Sequence, residues 1–142
     1  MSADAIVTIA RSWIGTPYIH QASVKGAGCD CLGLLRGVWR DHFGREPVLP
    51  PPYSADWAEA SGRETLAEAA RAHLLELPML NFTAGDVVLF RWREGLPAKH
   101  CAIAVSPTTM VHAHDGACVA EVAIGPWWRR HIAYAFRFPQ AV

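Results

Sequence analysis

The sequence lacks both a surplus of charge of either sign and any long apolar run. Its 13 Lys and Arg residues balance its 13 Asp and Glu residues, so the formal net charge at pH 7 is zero. This balance gives no electrostatic basis for binding nucleic acid or an anionic membrane. Because no apolar stretch reaches the roughly 18–20 residues that a membrane span requires, the sequence also predicts no transmembrane helix.

The sequence is also poor in cysteine and lacks a recognisable secretion signal at its start. The first residues have neither the basic start nor the apolar centre of a signal peptide, so we expect synthesis and folding in the cytoplasm. In that reducing compartment the few cysteines are expected to remain thiols. At 142 residues, with 51% hydrophobic and 18% charged residues, the chain is predicted to form one domain, 1–142. The cysteines are Cys29, Cys31, Cys101 and Cys118.

The first half of the chain has the apolar spacing of helices. Asp30 is predicted to be the N-cap of the second helix, and Pro78 ends the third. Residues 44–61 contain four prolines and few periodic apolar positions. We therefore interpret the segment 44–78 as an insertion made of a Pro-rich loop and a helix. The predicted helices cover residues 3–13, Cys31–His42 and 63–77.

From residue 86 onward the pattern changes to short apolar segments separated by Gly, Pro or Asp, which is typical of strands. Helices followed by strands predict an α+β domain, in which N-terminal helices pack on one face of an antiparallel sheet of about five strands. The predicted strands are Val87–Trp92, Cys101–Val105, Met110–His112, Val119–Ala123 and Ile132–Phe138.

One thiol and two imidazoles are candidates for nucleophilic catalysis. Cys31 is predicted at the start of a helix, where the partial positive charge of the helix end lowers a thiol pKa. His100 precedes a predicted strand and would accept the thiol proton as general base. His112, on the next strand, would hold the His100 ring in the required tautomer. The alternatives are a small buried apolar side chain for Cys31, a turn histidine for His100 and a polar residue at a sheet edge for His112. Cys29 is the rival nucleophile, but it lies before the helix start, and we interpret it as accessory or structural.

Five short motifs occur in a fixed order along the chain. They are Gly-Thr-Pro-Tyr at 15–18, Asp-Cys-Leu-Gly-Leu at 30–34, Gly-Asp-Val-Val-Leu-Phe at 85–90, His-Cys-Ala-Ile-Ala-Val at 100–105 and Met-Val-His-Ala at 110–113. This ordered set resembles the motifs of the NlpC-type cell-wall peptidases, papain-like cysteine hydrolases of bacterial peptidoglycan. The resemblance runs from about Ala10 to Val122. It departs at Leu32, where the family usually has serine after the nucleophile.

The resemblance implies a papain-like NlpC-type fold and a cysteine endopeptidase that needs no cofactor and no metal. Such enzymes usually cleave peptidoglycan stem peptides between the γ-carboxyl of D-glutamate and a diamino acid. The resemblance assigns Cys31 as nucleophile, His100 as base and His112 as the residue that orients the base. Tyr18 matches a family tyrosine across the cleft and is expected to help bind the oxyanion or the substrate. A purely packing role is the alternative for Tyr18.

A narrower resemblance covers the stretch Trp13–Arg40, which is similar to small cell-wall peptidases encoded with the tail genes of phages and gene transfer agents. It implies an enzyme that a phage-like tail carries to the cell wall, in the periplasm of the recipient cell. Tail hub or baseplate proteins would be its partners, and peptidoglycan stem peptides its substrate. The Pro-rich segment Pro47–Tyr53 and the patch Trp127–Arg130 are the expected docking surfaces.

Two other functions stay open on the sequence alone. One is a structural tail-hub component that has the same fold and little activity. The other is a metal-binding module with cysteine and histidine ligands, although a Cys-x-Cys pair lacks the usual spacer of zinc sites. The ligands of that module would be Cys29, Cys31, His100 and Cys101. Residues near the motifs that are expected at the rim of the site are His20, Gln21, Ser23 and His114.

Overall fold

The computed structural model of the protein describes residues 2–46, 63–114 and 116–140. Helices dominate the first half of these residues and strands the second, which confirms the predicted α+β class. Every helix among the described residues is too short or too polar to cross a membrane. In chain order the elements are α1 (Ser2–Ser12), β1 (Ser23–Val24), β2 (Gly28–Cys29), α2 (Cys31–Phe43), α3 (Thr65–His73), β3 (Leu75–Leu77), β4 (Asp86–Phe90), β5 (His100–Ala104), β6 (Thr109–His112), β7 (Ala120–Ala123), α4 (Pro126–Arg130) and β8 (Ile132–Arg137).

The main sheet has six antiparallel strands in the order β3-β8-β4-β5-β6-β7, and β1 and β2 form a separate two-stranded hairpin. The central strands β4 and β5 are buried at every residue. Phe90, the last residue of β4, pairs with His100, the first residue of β5. In the next pair Ile103 lies opposite Val111. These registers bring the beginning of β5 and the end of β6 to the same end of the sheet.

Both faces of the sheet are covered. Helices α1, α2 and α3 pack on the face that carries Val87, Leu89 and Ile103. The opposite face carries Val88 and Phe90, and the short helix α4 packs against it. The N-terminal helices thus cover one face as predicted, and α4 covers part of the other. Because apolar residues are needed on both faces, β4 and β5 have continuous apolar runs rather than an alternating pattern.

The third predicted helix is shorter than its spacing suggested. It ends at His73, and Leu75–Leu77 forms the edge strand β3, which pairs with β8. This edge strand makes the sheet six strands wide rather than about five. Hydrogen bonding to β8 outweighs the helical spacing there, because propensity is a weak determinant beside tertiary contacts. The remaining part of the predicted insertion 44–78, including Pro47–Tyr53, lies largely outside the described residues.

The start of α2 fits closely against two earlier segments. A Cβ atom on Gly33 would lie 1.8 Å from the carbonyl oxygen of Ala22, and one on Gly37 would lie 2.1 Å from the Trp13 ring. Glycine at these positions therefore lets the helix approach α1 and the loop before β1. Arg40 adds a hydrogen bond to the carbonyl oxygen of Ser23 at 2.8 Å. These contacts fix the position of the first turn of α2 on the sheet.

Candidate active site

The thiol of Cys31 lies on the first residue of α2. Asp30 caps the helix as predicted: its Oδ1 atom accepts a hydrogen bond from the Gly33 N–H at 2.7 Å. Its Oδ2 atom accepts a second one from the Gln21 N–H at 2.7 Å. Asp30 is 2% exposed. The buried cap thus ties the loop before β1 to the helix start, and the positive end of α2 favours a thiolate at Cys31.

A second thiol contributes to the environment of Cys31. Cys101 donates a hydrogen bond to the carbonyl oxygen of Cys31, at a Sγ–O distance of 3.1 Å. The pKa of Cys31 is held well below its ordinary value, first by a hydrogen bond with the Cys101 thiol and then by the hydrogen bond and charge of His100, against the opposing effect of burial. The same contact and burial raise the pKa of Cys101 well above the ordinary value. These opposite pKa shifts favour the thiolate at Cys31 and the thiol at Cys101, whose single S–H can be directed at either the Cys31 carbonyl oxygen or the Cys31 sulfur.

Cys29 does not have the properties of a nucleophile. It is completely buried, whereas Cys31 is half-buried. Burial, together with the charges of Asp30 and Cys31, raises the pKa of Cys29 to about 12. A thiol in this state carries almost no thiolate at neutral pH, so the Cys31 thiol is the only reactive candidate in the Cys-x-Cys pair.

His100 and His112 form a hydrogen-bonded pair next to this thiol. The Nε2 atom of His100 lies 2.9 Å from the Nδ1 atom of His112, and the two residues are 3% and 5% exposed. Burial, followed by the charges of His100 and His114, lowers the pKa of His112 to about 3. His112 is therefore neutral at pH 7, and the catalytic arrangement requires its Nδ1 to accept the hydrogen bond from the Nε2–H of His100. This arrangement leaves Nδ1 of His100 to exchange a proton with Cys31.

Tyr18 lies beside the loop that leads to the nucleophile. The Cys29 N–H donates to the carbonyl oxygen of Pro17 at 3.0 Å, and the Ile19 N–H donates to the carbonyl oxygen of Cys29 at 3.1 Å. These bonds place the backbone of Tyr18 alongside Cys29, two residues before Cys31. The structure thus brings all four predicted site residues to one region. The catalytic role of Tyr18 stays a prediction.

Two tryptophans that the sequence analysis did not assign to the site enclose the imidazole pair. Trp92 stacks on His100 with ring centroids 5.3 Å apart and an interplanar angle of 27°. Trp128 lies 5.6 Å from His100 and packs edge-on against His112 at 5.2 Å. We call Trp92 and Trp128 the aromatic wall. They are separated by 36 positions and match no motif, so no local pattern in the sequence connects them with His100.

The predicted docking patch Trp127–Arg130 is the helix α4, and it divides into two parts. Trp128 belongs to the aromatic wall, whereas Trp127 is 45% exposed and stacks on His131 with centroids 3.9 Å apart. Among the predicted rim residues, His114 adjoins the pair, with its ring centroid 5.7 Å from that of His100. Ser23 has a structural contact instead, because its hydroxyl donates to the carbonyl oxygen of Gly33 at 2.7 Å.

The set of ligands considered for a metal-binding module is not assembled. Cys29 and Cys101 are buried thiols, and Cys101 donates its hydrogen bond to the Cys31 backbone. Within residues 2–46, 63–114 and 116–140, the side chains arranged closely enough to hold a cation are His100, His112 and His114. The described structure therefore does not support a site made by the Cys-x-Cys pair.

Neither a family model nor a curated protein matches this sequence. Solved structures do match it. A lipoprotein-like protein of the NLP/P60 family from Staphylococcus aureus is 22% identical, with a TM-score of 0.66, over 98% of this chain and 42% of that one. The chain thus spans less than half of that structure. The NlpC/p60 domain of the peptidoglycan hydrolase SagA is 24% identical, with a TM-score of 0.67, over 96% of this chain and 98% of that one.

A third match shows that the fold occurs without catalysis. RipD from Mycobacterium tuberculosis, described as a non-catalytic NlpC/p60 domain protein adapted to peptidoglycan binding, is 15% identical, with a TM-score of 0.59, over 96% of this chain and 97% of that one. At these identities the similarity concerns the fold. The chain therefore has the NlpC/P60 fold, which confirms the architecture that its five ordered motifs implied.

Proposed function

We propose that the protein is a cysteine-type peptidoglycan endopeptidase. The observation that carries the proposal is the ordered contact from a thiol at a helix start to a buried imidazole pair. Cys31 has a lowered pKa, His100 contributes to that lowering, and Nε2 of His100 lies within hydrogen-bond distance, 2.9 Å, of Nδ1 of His112. A domain that only bound its ligand would have no use for a polarised thiol and two buried imidazoles, since buried polar groups cost stability.

The arrangement is suited to amide hydrolysis in two steps. The Cys31 thiolate attacks the carbonyl carbon, and the backbone N–H of Cys31 at the helix start helps to bind the oxyanion. Nδ1 of protonated His100 gives its proton to the departing amine as the C–N bond breaks, which leaves a thioester on Cys31. His100 then takes a proton from water, the hydroxide attacks the thioester, and the thiolate is released. His112 keeps the His100 ring in position throughout.

The substrate and the site of action follow from the sequence resemblance. The proposed bond joins the γ-carboxyl of D-glutamate to the amine of a diamino acid in the stem peptide. The SagA domain, which shares this fold, is a peptidoglycan hydrolase, and this supports the choice of polymer. The similarity of Trp13–Arg40 to tail-encoded peptidases supports delivery by a phage-like tail, with hub or baseplate proteins as partners and the periplasm of a recipient cell as the place of action.

A peptidoglycan-binding protein without activity is the second candidate, because RipD has this fold and is described as non-catalytic. The two candidates differ in the chemistry they require. Binding alone would tolerate the loss of the Cys31 thiol, whereas hydrolysis would not. A structural tail-hub component would likewise keep its function in such a variant.

Digestion of purified cell walls tests the proposal. The wild-type protein is incubated with peptidoglycan sacculi, and the released fragments are identified by mass spectrometry. We expect stem-peptide fragments with a free D-glutamate γ-carboxyl from the wild type and none above background from Cys31→Ala. The matched control Cys29→Ala removes the neighbouring buried thiol and should retain hydrolysis. A Cys31→Ala protein that digests walls at the wild-type rate would refute the proposal.

Iodoacetamide provides an independent measurement that needs no substrate. Because the thiolate is the alkylated form, Cys31 should be modified faster than Cys29 and Cys101 at neutral pH. Mass spectrometry of the partly modified protein locates the label. Equal labelling of Cys31 and Cys101 would contradict the assignment of the thiolate to Cys31.

A further inference from the structure

A third imidazole adjoins the pair that the proposed mechanism uses. Each of His100, His112 and His114 has a ring nitrogen within 4.8 Å of a nitrogen of the other two. The ring centroids of His114 lie 5.7 Å from His100 and 5.6 Å from His112. His100 and His112 are buried, whereas His114 is exposed. The cluster therefore opens to solvent on the side of His114, and the proposed catalytic steps leave His114 without a role.

Three neutral imidazoles are a suitable ligand set for a borderline divalent cation such as Zn²⁺. With Zn–N bonds of about 2.0–2.1 Å and tetrahedral angles, ligand nitrogens lie about 3.3 Å apart. His100 Nε2 and His112 Nδ1, now 2.9 Å apart and facing each other across a hydrogen bond, need to separate slightly and turn so that both lone pairs point at the ion. The larger movement falls to His114, which is exposed and follows the end of β6. Water from the open side would complete the coordination.

The surroundings of the cluster also resemble those of a metal site. Trp128 packs against all three imidazoles, with ring centroids at 5.6 Å from His100, 5.2 Å from His112 and 6.0 Å from His114. Trp92 stacks on His100 and packs edge-on against His114 at 6.0 Å. Apolar walls of this kind limit solvent access to a bound ion and hold its ligands in place.

We propose that His100, His112 and His114 bind Zn²⁺, and that the bound ion inhibits the enzyme. To take the thiol proton on Nδ1 and become the protonated His100 of the mechanism, neutral His100 must first carry its own proton on Nε2, facing His112. A cation on Nε2 requires that proton to be on Nδ1 instead. His100 then cannot accept the thiol proton, and it no longer donates to His112. The inhibitory part rests on the proposed peptidase function, whereas the binding part does not.

Calorimetric titration with ZnCl₂ in a Cys31→Ala background tests the binding part, because that background removes the accessible thiol as a competing ligand. We expect one Zn²⁺ per chain, and affinity weaker by about tenfold or more in Cys31→Ala/His114→Ala and in the matching His114→Asn variant. Cys31→Ala/His73→Ala, which removes a histidine on α3 outside the cluster, should bind as the parent does. Absence of binding in the parent, or equal affinity with and without His114, would overturn the site.

Wall digestion with and without ZnCl₂ tests the inhibitory part. Wild-type hydrolysis should be lost with stoichiometric Zn²⁺ and restored by EDTA. Each variant is compared with its own metal-free rate: His114→Ala should keep most of its metal-free activity at the Zn²⁺ concentration that abolishes wild-type hydrolysis. Equal inhibition of the wild type and His114→Ala would show that Zn²⁺ acts through the Cys31 thiol and would refute the inhibitory site. A protein that binds Zn²⁺ through His114 but never hydrolyses walls would refute the proposed function and leave the binding site standing.

Discussion

At the scale of single residues, the site depends on two neighbouring thiols, Cys31 and Cys101, whose pKa values are shifted in opposite directions. Cys101 gives a hydrogen bond to the Cys31 backbone and has a raised pKa, whereas Cys101 and His100 hold the pKa of Cys31 well below its usual range. Cys101 occupies the second position of the His100 motif, where the sequence analysis interpreted it as a strand residue or a metal ligand. Its contact with Cys31 joins positions 70 residues apart, so no local pattern could have revealed it.

Replacing Cys101 tests its influence on the nucleophile. Cys101→Ala removes the hydrogen bond that contributes most to the lowered pKa of Cys31, so the Cys31 pKa should rise. Because the thiolate is the active form, the acidic limb of the kcat/KM profile should move to higher pH. Alkylation by iodoacetamide across the same pH range should show the same displacement. Cys118→Ala, which removes an exposed thiol, is the matched control, and superimposable profiles for all three proteins would contradict the role of Cys101.

Replacing His100 and replacing His112 should reduce catalytic activity by different amounts. His100→Ala removes the proton acceptor and should lower kcat by roughly 10²–10⁴-fold. His112→Ala should cost less, because it removes only the acceptor that orients His100, and His112→Asn should restore part of the loss. Single-turnover assays on a stem peptide measure the three variants. If His112→Ala is as active as the wild type while His100→Ala is inactive, the site is a dyad and His112 does not take part.

At the scale of elements, the sequence predicted the features that depend on interactions between residues close together in the chain. The N-cap Asp30 and the helix start at Cys31 follow from side chains within four positions of each other. The strand β3 and the helix α4 were missed for different reasons. β3 has helical spacing but pairs with β8, and the five residues of α4 are too few for a periodic signal. Elements that are stabilised by residues distant in sequence cannot be predicted from local patterns and become evident only in the assembled sheet.

The helix α4 carries a side chain that should matter for the site. Trp128→Ala removes the ring that packs against His100, His112 and Phe90, with centroids 5.6, 5.2 and 5.0 Å away. The resulting cavity should lower the free energy of unfolding by about 3 kcal/mol and lower kcat by allowing the imidazoles to reorient. Trp128→Phe should recover part of both losses. Urea unfolding and steady-state kinetics measure the two effects.

Replacing Trp127, the neighbour of Trp128 in α4, provides a comparison for Trp128→Ala and also tests docking. Trp127→Ala removes a 45% exposed ring that packs on Trp128 and Trp92, with centroids 4.9 and 6.0 Å away, and should lower kcat less than Trp128→Ala does. If a tail component docks on α4, Trp127→Ala should reduce incorporation of the protein into tail particles, as measured by immunoblotting of purified particles. Incorporation at the wild-type level would count against docking at this helix. Replacing Trp127 and Trp128 together would not separate docking from the support of the histidine pair.

At the scale of the whole molecule, the buried His112 imidazole should make stability depend on pH. In the folded protein the pKa of His112 is lowered to about 3, whereas an unfolded chain has a histidine pKa near 6.5. Between these values the unfolded state binds a proton that the folded state does not. The free energy of unfolding should therefore fall as pH decreases from about 6.5 towards 3, by up to about 1.4 kcal/mol per pH unit for this group.

Comparison with a variant isolates this contribution from the carboxylates that titrate in the same range. His112→Asn lacks the titratable ring, so its free energy of unfolding should decrease less steeply with acidification than that of the wild type. Urea unfolding at several pH values between 4 and 7 measures both slopes, and His73→Asn controls for the loss of a histidine elsewhere. Parallel slopes for the wild type and His112→Asn would show that His112 is not kept neutral by the fold. A steeper wild-type slope would show that the fold stabilises the neutral imidazole that the proposed mechanism requires, at the expense of stability in acid.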